Sequence, residues 1–98
     1  MSVDAIVIGA GFAGLSAGVA LSDRGIKVLV LEARPKLGGR ATSYIDSRTG
    51  DYVDNGQHVL FGCYHETFQF FHRLGVESDV QLRVPLAVET VDVAGGIT

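Results

Sequence analysis

The feature that most constrains this chain is the hexapeptide Gly9-Ala10-Gly11-Phe12-Ala13-Gly14, set between two segments of different periodicity. Ahead of it, residues 3–8 (V-D-A-I-V-I) form a short β-branched run that reads as a buried parallel strand. Behind it, residues 12–24 carry apolar side chains at Leu15, Val19 and Leu21 and stop before Gly25, which predicts a helix. Residues 27–32 (K-V-L-V-L-E) predict a second buried strand. Strand, glycine turn, helix and strand in about thirty residues open a βαβ unit, whose crossover is right-handed.

In that setting G-x-G-x-x-G has a physical reading. Gly9 permits the tight turn, Gly11 lets backbone approach a pyrophosphate, and Gly14 lets the helix pack close on the strand. The helix beginning at Phe12 and Ala13 offers its N-terminal N–H groups and partial positive charge to the phosphates. Glu32 stands 18 residues after Gly14, at the end of the second strand. A carboxylate there accepts hydrogen bonds from adenosine ribose hydroxyls and disfavours a 2′-phosphate, which argues against NADP. The bland alternative for Glu32 is a solvated strand end. Together these residues predict a dinucleotide site in an incomplete Rossmann-like α/β unit.

Composition narrows the class further. At 98 residues the chain is one small domain at most. Eight basic against 11 acidic side chains leave no electrostatic footprint for nucleic acid. One cysteine, Cys63, cannot frame a disulfide-stapled module and reads as a small buried hydrophobe. The 17 residues from Ala5 to Leu21 carry no charge, but four glycines and the lack of a basic leader argue against a membrane span or signal peptide. A cytoplasmic, soluble protein is expected.

Residues 33–43 read as a loop, broken by Pro35 and the Gly38-Gly39 pair. Residues 42–46 and 51–53 predict two short strands joined by a turn at Arg48-Thr49-Gly50-Asp51, the start of an appended hairpin-and-helix region. Tyr64, Phe68, Phe71 and Leu74 recur at helical spacing and predict an amphipathic helix over residues 64–74, closed by Gly75. From Val80 to Val88 apolar and polar residues alternate as in a strand, with Pro85 marking an edge and a bulge near Val91. Ala94-Gly95-Gly96 then predicts a turn.

The fingerprint does not separate NAD from FAD, but the next segment does. Arg34-Pro35-Lys36-Leu37-Gly38-Gly39-Arg40-Ala41-Thr42-Ser43 resembles the R-x-x-x-G-G-R-x-x-S/T signature of the flavoprotein group of flavin amine oxidases, protoporphyrinogen oxidase and carotenoid desaturases. Its chemistry is coherent: Gly38 and Gly39 let the loop pass over the dinucleotide, and Arg40 offers paired N–H donors to the pyrophosphate. The resemblance puts Ala33 and Arg34 beside the adenosine half. A third block, Val53-Asp54-Asn55-Gly56-Gln57-His58 through Gly62-Cys63-Tyr64, with Glu66-Thr67 and Arg73-Leu74-Gly75 after it, is similar to the D-N-G-x-H…G-x-Y block of hydroxysqualene dehydroxylases. The ζ-carotene-type desaturases carry a similar block, and Gln57-His58 tilts the likeness toward the hydroxysqualene enzymes.

The resemblance runs from about Val3 to Gly75. It implies FAD as cofactor, and a full enzyme that acts on a lipophilic isoprenoid and makes peripheral contact with the inner face of a membrane. Residues 1–43 are then the dinucleotide-binding βαβ and Gly-Gly-Arg loop. Residues 44–98 begin the interface between FAD and a substrate domain absent from this N-terminal portion, which alone is expected to be inactive and to self-associate. An amine oxidase, a carotenoid desaturase, or an inactive dinucleotide-binding fragment are the rival readings.

Several residues carry two readings. Asp54-Asn55-Gly56 serves equally as a hairpin turn or as a flavin contact, and Gly56 suits both. His58 reads as a structural histidine or, by the resemblance, as a donor to flavin or substrate. His58, His65 and His72 recur every seven residues, which on a helix separates neighbours by about 10 Å, too far for one metal ion. Tyr64, Phe68, Phe70 and Phe71 read as core more readily than as the lining of an isoprenoid channel. No arrangement of nucleophile and base points to covalent catalysis, and no catalytic residue emerges.

Overall fold

A computed structural model of the chain describes residues 2–56, 58–80, 85 and 87–95. The described elements run β1 (Ala5–Ile8), α1 (Phe12–Asp23), β2 (Val28–Leu31), β3 (Ser43–Ile45), β4 (Tyr52–Asp54) and α2 (His65–Leu74), then a short 3-10 turn at Glu77–Asp79. They fall into two compact units, Met1–Cys63 and Tyr64–Thr98.

In the first unit β1 and β2 pair in parallel, with Ala5 opposite Val28 and Ile8 opposite Leu31. A parallel pair needs a crossover, and α1 supplies it. The helix opens on Gly11, which is extended at φ −79° and ψ −171°, and ends at Arg24. The backbone of Arg24, Gly25 and Ile26 then bonds the last turn's carbonyls at 3.0–3.2 Å. The α/β unit expected from the sequence is thus present, with its helix ending one residue early and its strands shorter by a residue or two at their ends.

The core lies in the seam between α1 and the two strands. Gly18 and Ala10 are the only buried positions among the described residues. Gly14 faces Val7 and Gly18 faces Val30, so absent side chains bring helix and sheet together. This corrects the expectation that both strands are buried. One helix covers one face, and the other stays open, with Ile6 57% and Ile8 87% exposed.

β3 and β4 form an antiparallel hairpin, Ser43 opposite Asp54 and Ile45 opposite Tyr52. Its connection closes through Asp46 N–H to the Asp51 carbonyl at 2.9 Å and Gly50 N–H to the Asp46 carbonyl at 2.7 Å. Asp46 and Thr49 side chains accept the N–H groups of Arg48 and Asp51, which explains why polar turn residues occupy this stretch.

In the second unit α2 closes on Gly75 in the left-handed conformation at φ +74°. Phe68 and Phe71 meet edge to face at 6.2 Å between ring centroids. The aromatic residues expected as core are not buried: Tyr64 is exposed, and Phe68, Phe70 and Phe71 are half-buried. The described residues of its own unit leave that stripe only partly covered. Cys63 is likewise exposed, against its reading as a buried hydrophobe. Of the expected strand after Val80, residues 81–84 and 86 lie outside the described residues. Pro85 and residues 87–95 carry no strand beyond one bridge residue at Val91. Pro85 removes a ladder donor there. A turn over Asp92–Gly95 follows, held by the Gly95 N–H on the Asp92 carbonyl at 3.0 Å. No described helix is long and apolar enough to cross a membrane.

Candidate functional site

Three motifs far apart in sequence meet above the ends of β1 and β2. The first is the glycine turn. Gly9 donates its N–H to the Leu31 carbonyl at 2.7 Å, which continues the parallel ladder one residue beyond β1. The chain then turns sharply with Gly9 at φ +99° and enters α1. That helix start has no side-chain cap and no acidic residue in its first turn. The first-turn N–H groups therefore lack intrahelical acceptors and face no competing carboxylate on their own helix.

The second is Glu32. One carboxylate oxygen accepts the Ala10 N–H at 2.7 Å and the other the Arg34 N–H at 3.1 Å. The Ala10 bond, then the Arg34 bond, hold its carboxyl below the usual glutamate range, and the Arg34 charge adds to the effect. Each carboxylate oxygen has two acceptor sites, so these two bonds do not exhaust its capacity. Glu32 thus ties the glycine turn to the loop after β2.

The third is the Gly-Gly-Arg loop. Gly38 donates its N–H to the Ala10 carbonyl at 2.8 Å. A Cβ on Gly39 would lie 3.1 Å from the Cα of Gly11, closer than a side chain tolerates without displacement of backbone. The two glycine loops therefore touch backbone to backbone. Ala10 is the hub, spending its N–H on Glu32 and its C=O on Gly38. Sequence reasoning passed over it as the variable position between two glycines. The signal is its small size, which suits a position that is buried completely.

The loop is anchored in turn to the hairpin. Asn55 donates its backbone N–H to the Thr42 carbonyl at 2.8 Å and its side-chain amide to the Arg40 carbonyl at 3.0 Å. Ser43 Oγ bonds Asp54, and Lys36 Nζ bonds the Ser43 carbonyl. The Arg40 side chain is exposed and has no hydrogen-bond or ion-pair partner among the described residues. Gly56 turns at φ +77°, and His58 lies with Nδ1 3.8 Å from the Asp54 carboxylate. Gln57 lies outside the described residues.

The structure therefore brings Gly9, Gly11, Gly14, Glu32, Arg34, Gly38 and Gly39 together, with Phe12 and Ala13 opening the helix beside them and Ala33 between Glu32 and Arg34. Arg40 is carried on the same loop, while Gly56 and His58 follow the strand that Asn55 ties to it. This donor set fits a dinucleotide. It combines an uncapped helix start, cations on a loop packed without side chains, and a carboxylate with spare acceptor sites.

Comparison with known proteins agrees. The family model described as flavin containing amine oxidoreductase matches residues 12–98. Hydroxysqualene dehydroxylase of Zymomonas mobilis is 45% identical over 71 residues, which cover 72% of this chain and 17% of that protein. Zeta-carotene desaturase of Zea mays is 39% identical over 77 residues, 79% of this chain and 13% of that protein. Among solved structures, reduced UDP-galactopyranose mutase superposes with a TM-score of 0.55 at 35% identity, over 65% of this chain and 14% of that one. The chain thus spans less than a fifth of the length of each. A flavin held by a dinucleotide fold is FAD, as the Gly-Gly-Arg segment led us to expect. On its glycine fingerprint, its Glu32 anchor and this match over most of its length, the chain belongs to the flavin containing amine oxidoreductase family.

Proposed function

We propose that this chain forms the ADP-binding end of the FAD site in an oxidoreductase acting on a lipophilic isoprenoid, with hydroxysqualene as substrate. The observation that carries the cofactor part is the backbone contact of the two glycine loops, braced by Glu32 on the Ala10 N–H. The N-terminus of α1 and Arg40 would hold the pyrophosphate, and Glu32 and Arg34 the adenosine half. Reduced FAD held there would supply hydride chemistry, in which an allylic C–OH is exchanged for C–H with a proton taken up and water released. Glu32, Arg34, Arg40 and the start of α1 would position the cofactor.

The 45% identity to hydroxysqualene dehydroxylase supports the substrate reading, together with Gln57-His58 in the third motif. The 39% identity to zeta-carotene desaturase supports a second reading, desaturation of a carotene. Either substrate is a membrane-dissolved lipid, and we propose a cytoplasmic protein that reaches it at the membrane surface.

Titration of the purified protein with FAD, with NAD as control, tests the cofactor part. Saturable FAD binding lost in Arg40→Ala and Glu32→Ala is expected, and preference for NAD would overturn it. For the substrate, hydroxysqualene and ζ-carotene are offered to the flavin-loaded protein under reducing and oxidising conditions. Conversion of hydroxysqualene to squalene is the expected outcome, and ζ-carotene desaturation alone would establish the second reading.

A further inference from the structure

We infer that Asn55 is a positioning residue for Arg40, a role that rests on the cofactor reading above. The hairpin sequence explains Asn55 as a turn residue, but a turn residue needs only its backbone conformation and a local bond. Asn55 does something different. Its side-chain amide reaches across 15 positions to the Arg40 carbonyl at 3.0 Å, while its backbone N–H holds the Thr42 carbonyl at 2.8 Å. The Thr42 N–H also closes on the Arg40 carbonyl at 3.1 Å, so that oxygen accepts two donors. The residue whose guanidinium has no partner among the described residues is thereby fixed through its own peptide.

The energetic logic is one of preorganisation. Gly38 and Gly39 are held against Ala10 and Gly11, so the freedom left to the loop is that of the Arg40 peptide beyond them. Without an anchor, Arg40 would lose that freedom on meeting a pyrophosphate, and the loss would weaken binding. Asn55 restricts the backbone before the ligand arrives. It lies outside the Gly-Gly-Arg signature, and its side chain is directed to a carbonyl instead of to the ligand.

Asn55→Ala is a clean perturbation, since no described non-glycine residue has positive φ and alanine can take the same backbone. The purified protein is measured in two ways. Without cofactor, amide exchange of residues 38–42 should rise several-fold while protection of β1, β2 and α1 stays unchanged. With FAD, affinity should fall about five- to tenfold, as expected for one preorganising hydrogen bond. In an Arg40→Ala background the same change should have almost no effect on affinity, because the group it positions is gone. Asn55→Asp, which replaces the N–H donor with an oxygen that repels the Arg40 carbonyl, should loosen residues 38–42 at least as much as Asn55→Ala. Full additivity of the Asn55 and Arg40 substitutions, or unchanged exchange at 38–42, would overturn the inference while leaving the cofactor reading in place. A wild-type protein that prefers NAD would overturn the cofactor reading and this role with it.

Discussion

Replacing Gly14 with alanine separates backbone contact from helix propensity, because the two act in opposite directions. A Cβ at Gly14 would sit 1.9 Å from the Gly9 carbonyl oxygen, where 3.0 Å is the practical minimum, so one backbone must yield by about 1.1 Å. Neither side is soft: Gly9 is tied to Leu31 at 2.7 Å and Leu15 to Gly11 at 3.0 Å. Overpacking costs about 1–3 kcal/mol. One strained hydrogen bond costs about 1 more, and alanine returns about 1 in helix propensity. The net is a destabilisation of about 1–3 kcal/mol. Gly18→Ala is the matched control. Its Cβ would meet only the Val30 Cγ2 methyl at 3.3 Å, a side chain that can shift, so propensity wins by about 0.5 kcal/mol. Urea unfolding followed by circular dichroism measures both. At a slope of about 1–1.5 kcal/mol per molar, the Gly14→Ala midpoint should fall about 1–3.5 M below that of Gly18→Ala. Equal midpoints, or a Gly14→Ala protein as stable as wild type, would refute the close-approach reasoning.

Other consequences are open to measurement. Glu32 has its folded pKa lowered by the Ala10 and Arg34 N–H bonds, so its contribution to stability is complete above its ordinary value of 4.5 and is lost as pH falls through the lowered folded value. Glu32→Gln should therefore flatten the stability profile below pH 4.5 and leave its neutral-to-basic limb parallel to wild type; an unchanged acid limb would count against the anchor. With Ile6, Ile8 and Leu31 exposed on the open sheet face, the isolated chain should self-associate at high concentration and Ile8→Lys should reduce it. A clean monomer by light scattering would contradict this. Glu77→Ala removes the partner of His72, 2.8 Å away at the surface, and should change stability by less than about 0.5 kcal/mol. A larger loss would show that the pair holds the end of α2.

Much of the first unit was legible because its signals are local. β-branched runs, a stop at Gly25 and a turn rich in Asp, Thr and Gly each specify their own few residues, and the elements fell within one or two residues of expectation. The roles of Ala10 and Asn55 were not legible, because each is defined by a bond to a residue 15 or more positions away. Burial was misread for the same reason. The apolar run of β1 and the aromatic spacing of α2 report faces that want cover, and the described segments of the same unit supply only part of it. Cys63 was assigned by the average habit of its residue type, which carries no information about one exposed position.

The backbone contact between Gly11 and Gly39 bears on whether this motif can be moved to another scaffold. The hexapeptide at residues 9–14 looks portable, yet its shape is held by Leu31 and Glu32 from the second strand and by Gly38 from the loop beyond it. A graft of six residues would carry the sequence without its mould. The smallest unit expected to keep the turn in shape runs from Ala5 to Gly39, and through Asn55 if Arg40 is to come with it.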